Sequence, residues 1–95
     1  MRTYELMTIH RPGLEEDEVR ARVGDVQTFL EGAGAKVTST DLWGKRRLAY
    51  EIDKVNEGYY SVVNFEGDAE TVAGLDRMLS LSDEVLRHKV FRPGE

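Results

Sequence analysis

An α+β sandwich with the element order β-α-β-β-α-β is predicted for this chain by three observations. Apolar residues recur at three- and four-residue spacing in two stretches, one from about Leu14 and one from about Ala69, which marks amphipathic helices. Alternating runs rich in β-branched and aromatic residues flank them and supply four strands. The chain has 95 residues, enough for one domain spanning 1–95 and little more. That order and these lengths suit a split βαβ, ferredoxin-like sandwich: a four-stranded antiparallel sheet with both helices on one face.

Arg2 to His10 reads as the first strand, with Tyr4 and Leu6 on one face and Met7 and Ile9 on the other. Apolar residues on both faces suggest a central strand, and Arg11-Pro12-Gly13 ends it. The first helix follows from about Leu14. Glu15, Glu16, Asp17 and Glu18 crowd its first turns, where negative charge complements the helix dipole. Val19, Val23, Val26, Leu30 and Ala33 define its buried stripe. Gly32 and Gly34 stop it, because glycine takes the left-handed conformation that ends helices.

Lys36 to about Asp53 is a long second strand or strand pair, broken near Gly44, where a bulge fits. Leu48, Tyr50 and Ile52 share one face of its second half, leaving Arg47, Ala49 and Glu51 on the other. Lys54-Val55-Asn56-Glu57-Gly58 supplies turn chemistry, and Tyr59 to Glu66 forms the third strand. Asp68 is the expected cap of a second helix from about Ala69 to Leu79, with Val72, Leu75 and Leu79 as its stripe. Val85 to Phe91 is the last strand, and Arg92-Pro93-Gly94-Glu95 a short exposed tail.

If Tyr4 and Leu6 face the helices, Glu5, Met7 and Ile9 point to the open side of the sheet. Leu86, His88 and Val90 then face the helices, with Val85, Arg87, Lys89 and Phe91 outward. Such a mixture of apolar and basic side chains marks a contact surface, with Met7, Ile9, Val85 and Phe91 as its apolar seat for a partner protein. Thr8 and His10 fall on the helix side, where buried polar groups need partners. A one-residue slip in register would invert any of these assignments.

The net charge of -5 is unevenly distributed. Residues 13–42 carry seven acids against three bases, and residues 55–86 carry seven against Arg77 alone. The base collects in Trp43 to Lys54 and after Leu86. Overall acidity argues against indiscriminate nucleic-acid binding but leaves room for a local anion site. The triplet Lys45-Arg46-Arg47 reads equally as that site or as charge guarding an edge strand.

The absence of cysteine excludes disulfides and thiolate metal sites and suits a reducing compartment. No apolar stretch approaches the ~20 residues needed to cross a bilayer, so a cytoplasmic protein is expected. His10 and His88 have no third ligand at metal spacing, and a structural role is expected for both. Without a nucleophile elbow or phosphate loop, no enzyme and no cofactor are expected; Glu31-Gly32-Ala33-Gly34 ends a helix instead of opening one. Gly58-Tyr59-Tyr60 falls where RNA-recognition motifs carry stacking aromatics, but Glu57 and Ser61 break the signature, so strand packing is preferred for the tyrosines. A small-molecule-sensing module and a free-standing RNA-recognition domain remain alternatives on these grounds.

Several segments point further: Met1-Arg2-x-Tyr4-Glu5 with Pro12, then Gly44-Lys45-Arg46-Arg47-Leu48-Ala49-Tyr50-x-Ile52 and Gly58-Tyr59-Tyr60. Leu75-Asp76-Arg77-x-Leu79 and Asp83-Glu84-Val85-Leu86-Arg87 follow. Together they resemble the bacterial small-subunit ribosomal protein number six family over essentially the whole chain, although Asp53 stands where that family more often has a basic or small polar residue. The resemblance implies the same fold and a non-enzymatic structural role. It further implies binding to the central domain of small-subunit ribosomal RNA together with small-subunit ribosomal protein number eighteen, a short basic partner, and no small-molecule substrate. RNA contact is then expected from Arg2, Arg87, Lys89 and Arg92, with Lys45, Arg46 and Arg47 shared between RNA and partner. The chemistry would be charge-assisted bonding to phosphate.

Overall fold

Six elements follow one another in the computed structural model, which describes residues 1–93: β1 (Arg2–His10), α1 (Glu16–Gly32), β2 (Lys36–Ile52), β3 (Val55–Gly67), α2 (Ala69–Ser80) and β4 (Val85–Phe91). The strands form one antiparallel sheet in the order β2-β3-β1-β4. β1 is central, as its two apolar faces predict. Of the expected C-terminal tail, Gly94 and Glu95 lie outside the described residues.

Tyr4, Leu6, Val63 and Phe65 from the sheet meet Val23, Val26 and Leu30 of α1 and Leu75 and Leu79 of α2 in one core. Phe65 is fully buried and stacks on Tyr4, with ring centroids 5.5 Å apart. α1 begins at Glu16, not Leu14. The Leu14 N–H first closes a turn on the Arg11 carbonyl, and the Glu18 carboxylate accepts from the Glu15 N–H at 2.9 Å, which fixes Glu15 as the cap. Ala33 lies beyond the helix and is exposed; Ala35, after the left-handed turn at Gly34 (φ 86°), takes the core position instead.

Asp68 caps α2 as expected, its Oδ1 accepting from the Thr71 backbone N–H at 2.9 Å and from the Thr71 hydroxyl at 2.9 Å. The backbone bond, then the hydroxyl bond, holds the Asp68 carboxyl below its ordinary range. Thr71 joins Leu75 and Leu79 as a buried residue of this helix, and Val72 packs half-buried at its side. Asp68→Ala is expected to lower the melting temperature, with Asp68→Asn intermediate, because only the carboxylate adds charge at the helix N-terminus. Because the folded carboxyl is the stronger acid, its contribution is present above the ordinary carboxylate range and fades as pH falls through its lowered value. Thermal unfolding of the variants at neutral and acid pH checks both points.

Three irregularities, two of them departures from the expected elements, shape the sheet's functional end. First, β3 starts at Val55, because Ile52 pairs with Val55 across Asp53 and Lys54, both in the left-handed region (φ 50° and 64°). The two-residue turn has the twist that joins antiparallel strands tightly, so Asn56 and Glu57 become strand residues. Second, the register slips between Leu42 and Gly44, with Gly44 at φ 82°; this is the expected bulge, centred on Trp43. Third, the β1–β4 register shifts between Ile9 and His10, so that Val85 pairs with His10. Val85 therefore packs against the core under the helices, which corrects the expectation from strict alternation that it lies on the open face as part of the apolar seat. The bulge interrupts that alternation, and Leu86 instead lies beside Gly58 and Ile9.

Candidate nucleic-acid interface

The face that the helices leave open is set by pairing. Ile9 of β1 lies between Tyr60 of β3 and Arg87 of β4, Met7 between Val62 and Lys89, and Glu5 between Asn64 and Phe91. Arg46 pairs with Gly58 and therefore shares this side, whereas Lys45 and Arg47 pair with Tyr59 and Glu57 and point to the reverse. At the bulge, Trp43 stacks on Tyr60 with centroids 6.0 Å apart and planes within 10°. The Arg46 guanidinium lies 5.5 Å from the Trp43 ring, and its Nε donates to the Trp43 carbonyl at 3.4 Å. On the reverse side, Lys45 Nζ sits 5.3 Å from the Tyr59 ring.

Beyond this point the β2–β3 hairpin leaves the plane of the sheet. Paired register is lost between Arg47 and Ile52, and these residues run past the end of β1, whose His10 pairs with Tyr59. Leu48 is buried, and together with Ala49, Tyr50 and Ile52 it closes a small cavity against Ile9, Tyr60 and Arg87. The Tyr50 hydroxyl accepts from Arg87 Nη1 at 2.9 Å, and the Arg87 guanidinium lies 5.8 Å from the ring centre. β2 and β4 are three strand spacings apart, roughly 14 Å. Tyr50 can reach Arg87 only because the hairpin tip curls over the open face.

The curled tip is tied down at its end. Asp53 pairs with Arg11 Nη2 at 3.3 Å, while Arg11 Nε donates to the Asp83 carbonyl at 2.6 Å and the Arg11 N–H donates to the Glu84 carbonyl at 2.9 Å. One arginine thus joins the end of β1, the hairpin tip and the turn before β4. The tip also changes the expected apolar seat. Ile9 faces the open side but is only 9% exposed because the chain's own hairpin covers it, so it offers little to a partner. Met7 and Phe91 remain half-buried on that side.

The expected RNA contacts do not form one patch. Arg46 and Arg87 lie toward the hairpin end of the open face, with Lys89 next to them on β4. Arg2 pairs with Gly67 at the other end of β1, roughly 24 Å along the strand from the Ile9–Arg87 pair. Arg92 follows Phe91 at that same far end. Trp43, Tyr50, Arg11 and Asp53 escaped sequence reasoning as site residues; Trp43 and Tyr50 both fall within or beside the motif from Gly44 to Ile52.

The histidines serve packing. His10 is 2% exposed, its Nε2 lies 2.9 Å from Ser61 Oγ, and burial pushes its pKa down to about 4. A ring that is neutral at pH 7 supplies no charge for an anion. His88 Nε2 lies 2.7 Å from Asp76 Oδ1 of α2. Among the described residues no cluster of three metal-binding side chains occurs, and no helix is long and apolar enough to cross a membrane.

Known proteins share both this sequence and this fold. Residues 3–92 match the family described as ribosomal protein S6. The small ribosomal subunit protein bS6 of Desulforamulus reducens is 44% identical over 95 residues, covering the whole of both chains. The bS6 protein of Carboxydothermus hydrogenoformans is 47% identical over 92 residues, which is 97% of this chain and 96% of that one. The crystal structure of 30S ribosomal protein S6 from Thermotoga maritima superposes with a TM-score of 0.90 at 34% identity, covering 96% of this chain and 86% of the other. With sequence and fold matched over nearly its full length, this chain belongs to the ribosomal protein S6 family, structural and non-enzymatic proteins of the small ribosomal subunit.

Proposed function

We propose that this protein acts in the cytoplasm, on the ribosome, by binding the central domain of small-subunit ribosomal RNA together with small-subunit ribosomal protein number eighteen. The observation that carries this reading is the gathering of Arg46, Arg87 and Lys89 on the sheet face opposite the helices, in a chain of net charge -5. The first turns of both helices are acidic, so the helix layer repels phosphate while the open face attracts it. Charge-assisted bonds from these side chains hold the backbone of RNA without reading its bases. Lys45 and Arg47, on the reverse of the same hairpin, extend the contact around the edge, and Arg2 and Arg92 offer a second foothold at the far end. Met7 and Phe91 supply the apolar part of the contact with the partner protein, whose cations suit this chain's acids.

The stacking mode of a free-standing RNA-recognition domain is not favoured. The Tyr60 ring is stacked against Trp43, and Tyr59 faces the other way beneath Lys45. Binding of a central-domain transcript is expected to be weak for the chain alone and to tighten about ten-fold or more, at least about 1.4 kcal/mol, when the basic partner is added. Filter binding with and without the partner checks this, and equally tight binding by the isolated chain would sink the proposal.

A further inference from the structure

Arg87 is held by a residue from a distant strand. Its Nη1 donates to the Tyr50 hydroxyl at 2.9 Å, and its guanidinium lies 5.8 Å from the centre of the Tyr50 ring. The hydrogen bond fixes where that end of the guanidinium sits, and the ring beside it narrows the directions the group can take. Tyr50 is itself 63% exposed, so burial in the core does not account for its placement. Its place is set by the curled hairpin tip, which Leu48 anchors on the Ile9 side and Asp53 anchors on Arg11.

We infer that Tyr50 is a positioning residue for Arg87: the β2–β3 hairpin tip delivers its ring and hydroxyl so that the guanidinium stands pre-set to receive a phosphate of ribosomal RNA. The inference rests on the proposed RNA contact of Arg87. An exposed arginine ordinarily surrenders much side-chain freedom when it grips phosphate, and one already held through one N–H surrenders less. Only one guanidinium N–H goes to the Tyr50 hydroxyl, so the others are available for the bidentate geometry that phosphate prefers. Tyr50 contributes affinity through Arg87 and makes no phosphate contact of its own.

The test is a double-mutant cycle read by filter binding of a central-domain transcript, with the basic partner present, across a range of salt. Arg87→Ala is expected to weaken binding about thirty-fold and to lower the salt slope by about one. Tyr50→Phe, which keeps the ring, is expected to weaken it about three-fold, and Tyr50→Leu about ten-fold, both with the slope unchanged because no phosphate contact is removed. In the Arg87→Ala background either Tyr50 change is expected to have no further effect. A ten-fold loss from Tyr50→Leu in that background would overturn the inference, since Tyr50 would then act on RNA independently. Wild-type affinity for both single Tyr50 variants would overturn it as well. Unchanged affinity and slope for Arg87→Ala would remove Arg87 from the RNA contact, and the positioning role with it. If Tyr50→Leu lowers the melting temperature, the same cycle with Tyr50→Phe decides.

Discussion

Gly58→Ala is expected to destabilise the protein by about 3 kcal/mol, near the upper end of the usual penalty for overpacking. A Cβ placed on Gly58 would lie 2.7 Å from the His10 carbonyl oxygen and 2.8 Å from Ile9 Cγ2, with Leu86 Cδ1 at 3.6 Å. The first of these is backbone, held in the β1–β3 pairing, and cannot rotate away. Ile9 cannot move freely either, because Leu48 of the curled hairpin covers it. Relief must come from parting β1 and β3 at the point where the hairpin bends. The variant is therefore expected to loosen the tip as well as the fold. Urea unfolding should show a lower midpoint with an unchanged slope, and amide exchange should rise at Tyr50 and Asp53. Gly24→Ala is the matched control: no heavy atom lies within 4 Å of its added Cβ, and the helix interior favours alanine, so a gain of up to about 1 kcal/mol is expected. A Gly58→Ala midpoint equal to that of the wild type would mean that the end of β1 yields without cost.

That glycine illustrates which parts of this molecule its sequence discloses. Local pattern sufficed for element order: alternation marks Arg2–His10 and Val85–Phe91, helical spacing marks Val19 to Leu30, and Asp68 announces its helix. These signals depend on a residue's near neighbours and on which face they bury. The hairpin does not. Asp53 and Lys54 both adopt left-handed backbone, which two non-glycine residues do not advertise, and the choice is settled by how Ile52 and Val55 pair. The bulge at Ile9 and His10 is equally non-local, and it turned Val85 inward while the residues from Arg87 onward kept their predicted side. The candidate site was legible as a motif and as a set of cations. Its geometry was not, because Tyr50 meets Arg87 and Arg11 meets Asp53 only after the tip has curled across two strands. Gly58 looked like part of an aromatic RNA-binding signature; its steric reason is the close passage of β1.

Acid is expected to remove about 3 kcal/mol of stability through His10 alone. The folded-state pKa is about 4 against an ordinary 6.5, a depression caused by burial, and each pKa unit corresponds to about 1.4 kcal/mol. The unfolded chain therefore binds more protons than the folded one between these values, so stability rises with pH across that window. The contribution is fully present above pH 6.5, is lost as pH falls toward 4, and changes no further below it. The surroundings explain why the folded state resists the proton. His10 shares its cavity with Val26, Met78, Leu79 and Val85, and its Nε2 already meets Ser61 Oγ at 2.9 Å. Arg22 and Asp25 of α1 also line that cavity, and their 3.0 Å ion pair offsets the charge each presents to the ring. His10→Gln retains a group able to bond Ser61 and has nothing to titrate in this range. Urea midpoints measured from pH 7 to pH 4 should fall more steeply for the wild type than for His10→Gln, with the two curves separating by about 3 kcal/mol at the acid end relative to pH 7. Carboxylates titrate in both proteins and cancel in the difference. Parallel curves would show that His10 is protonated as readily in the folded protein as in the unfolded chain, and that the space around it admits a charge.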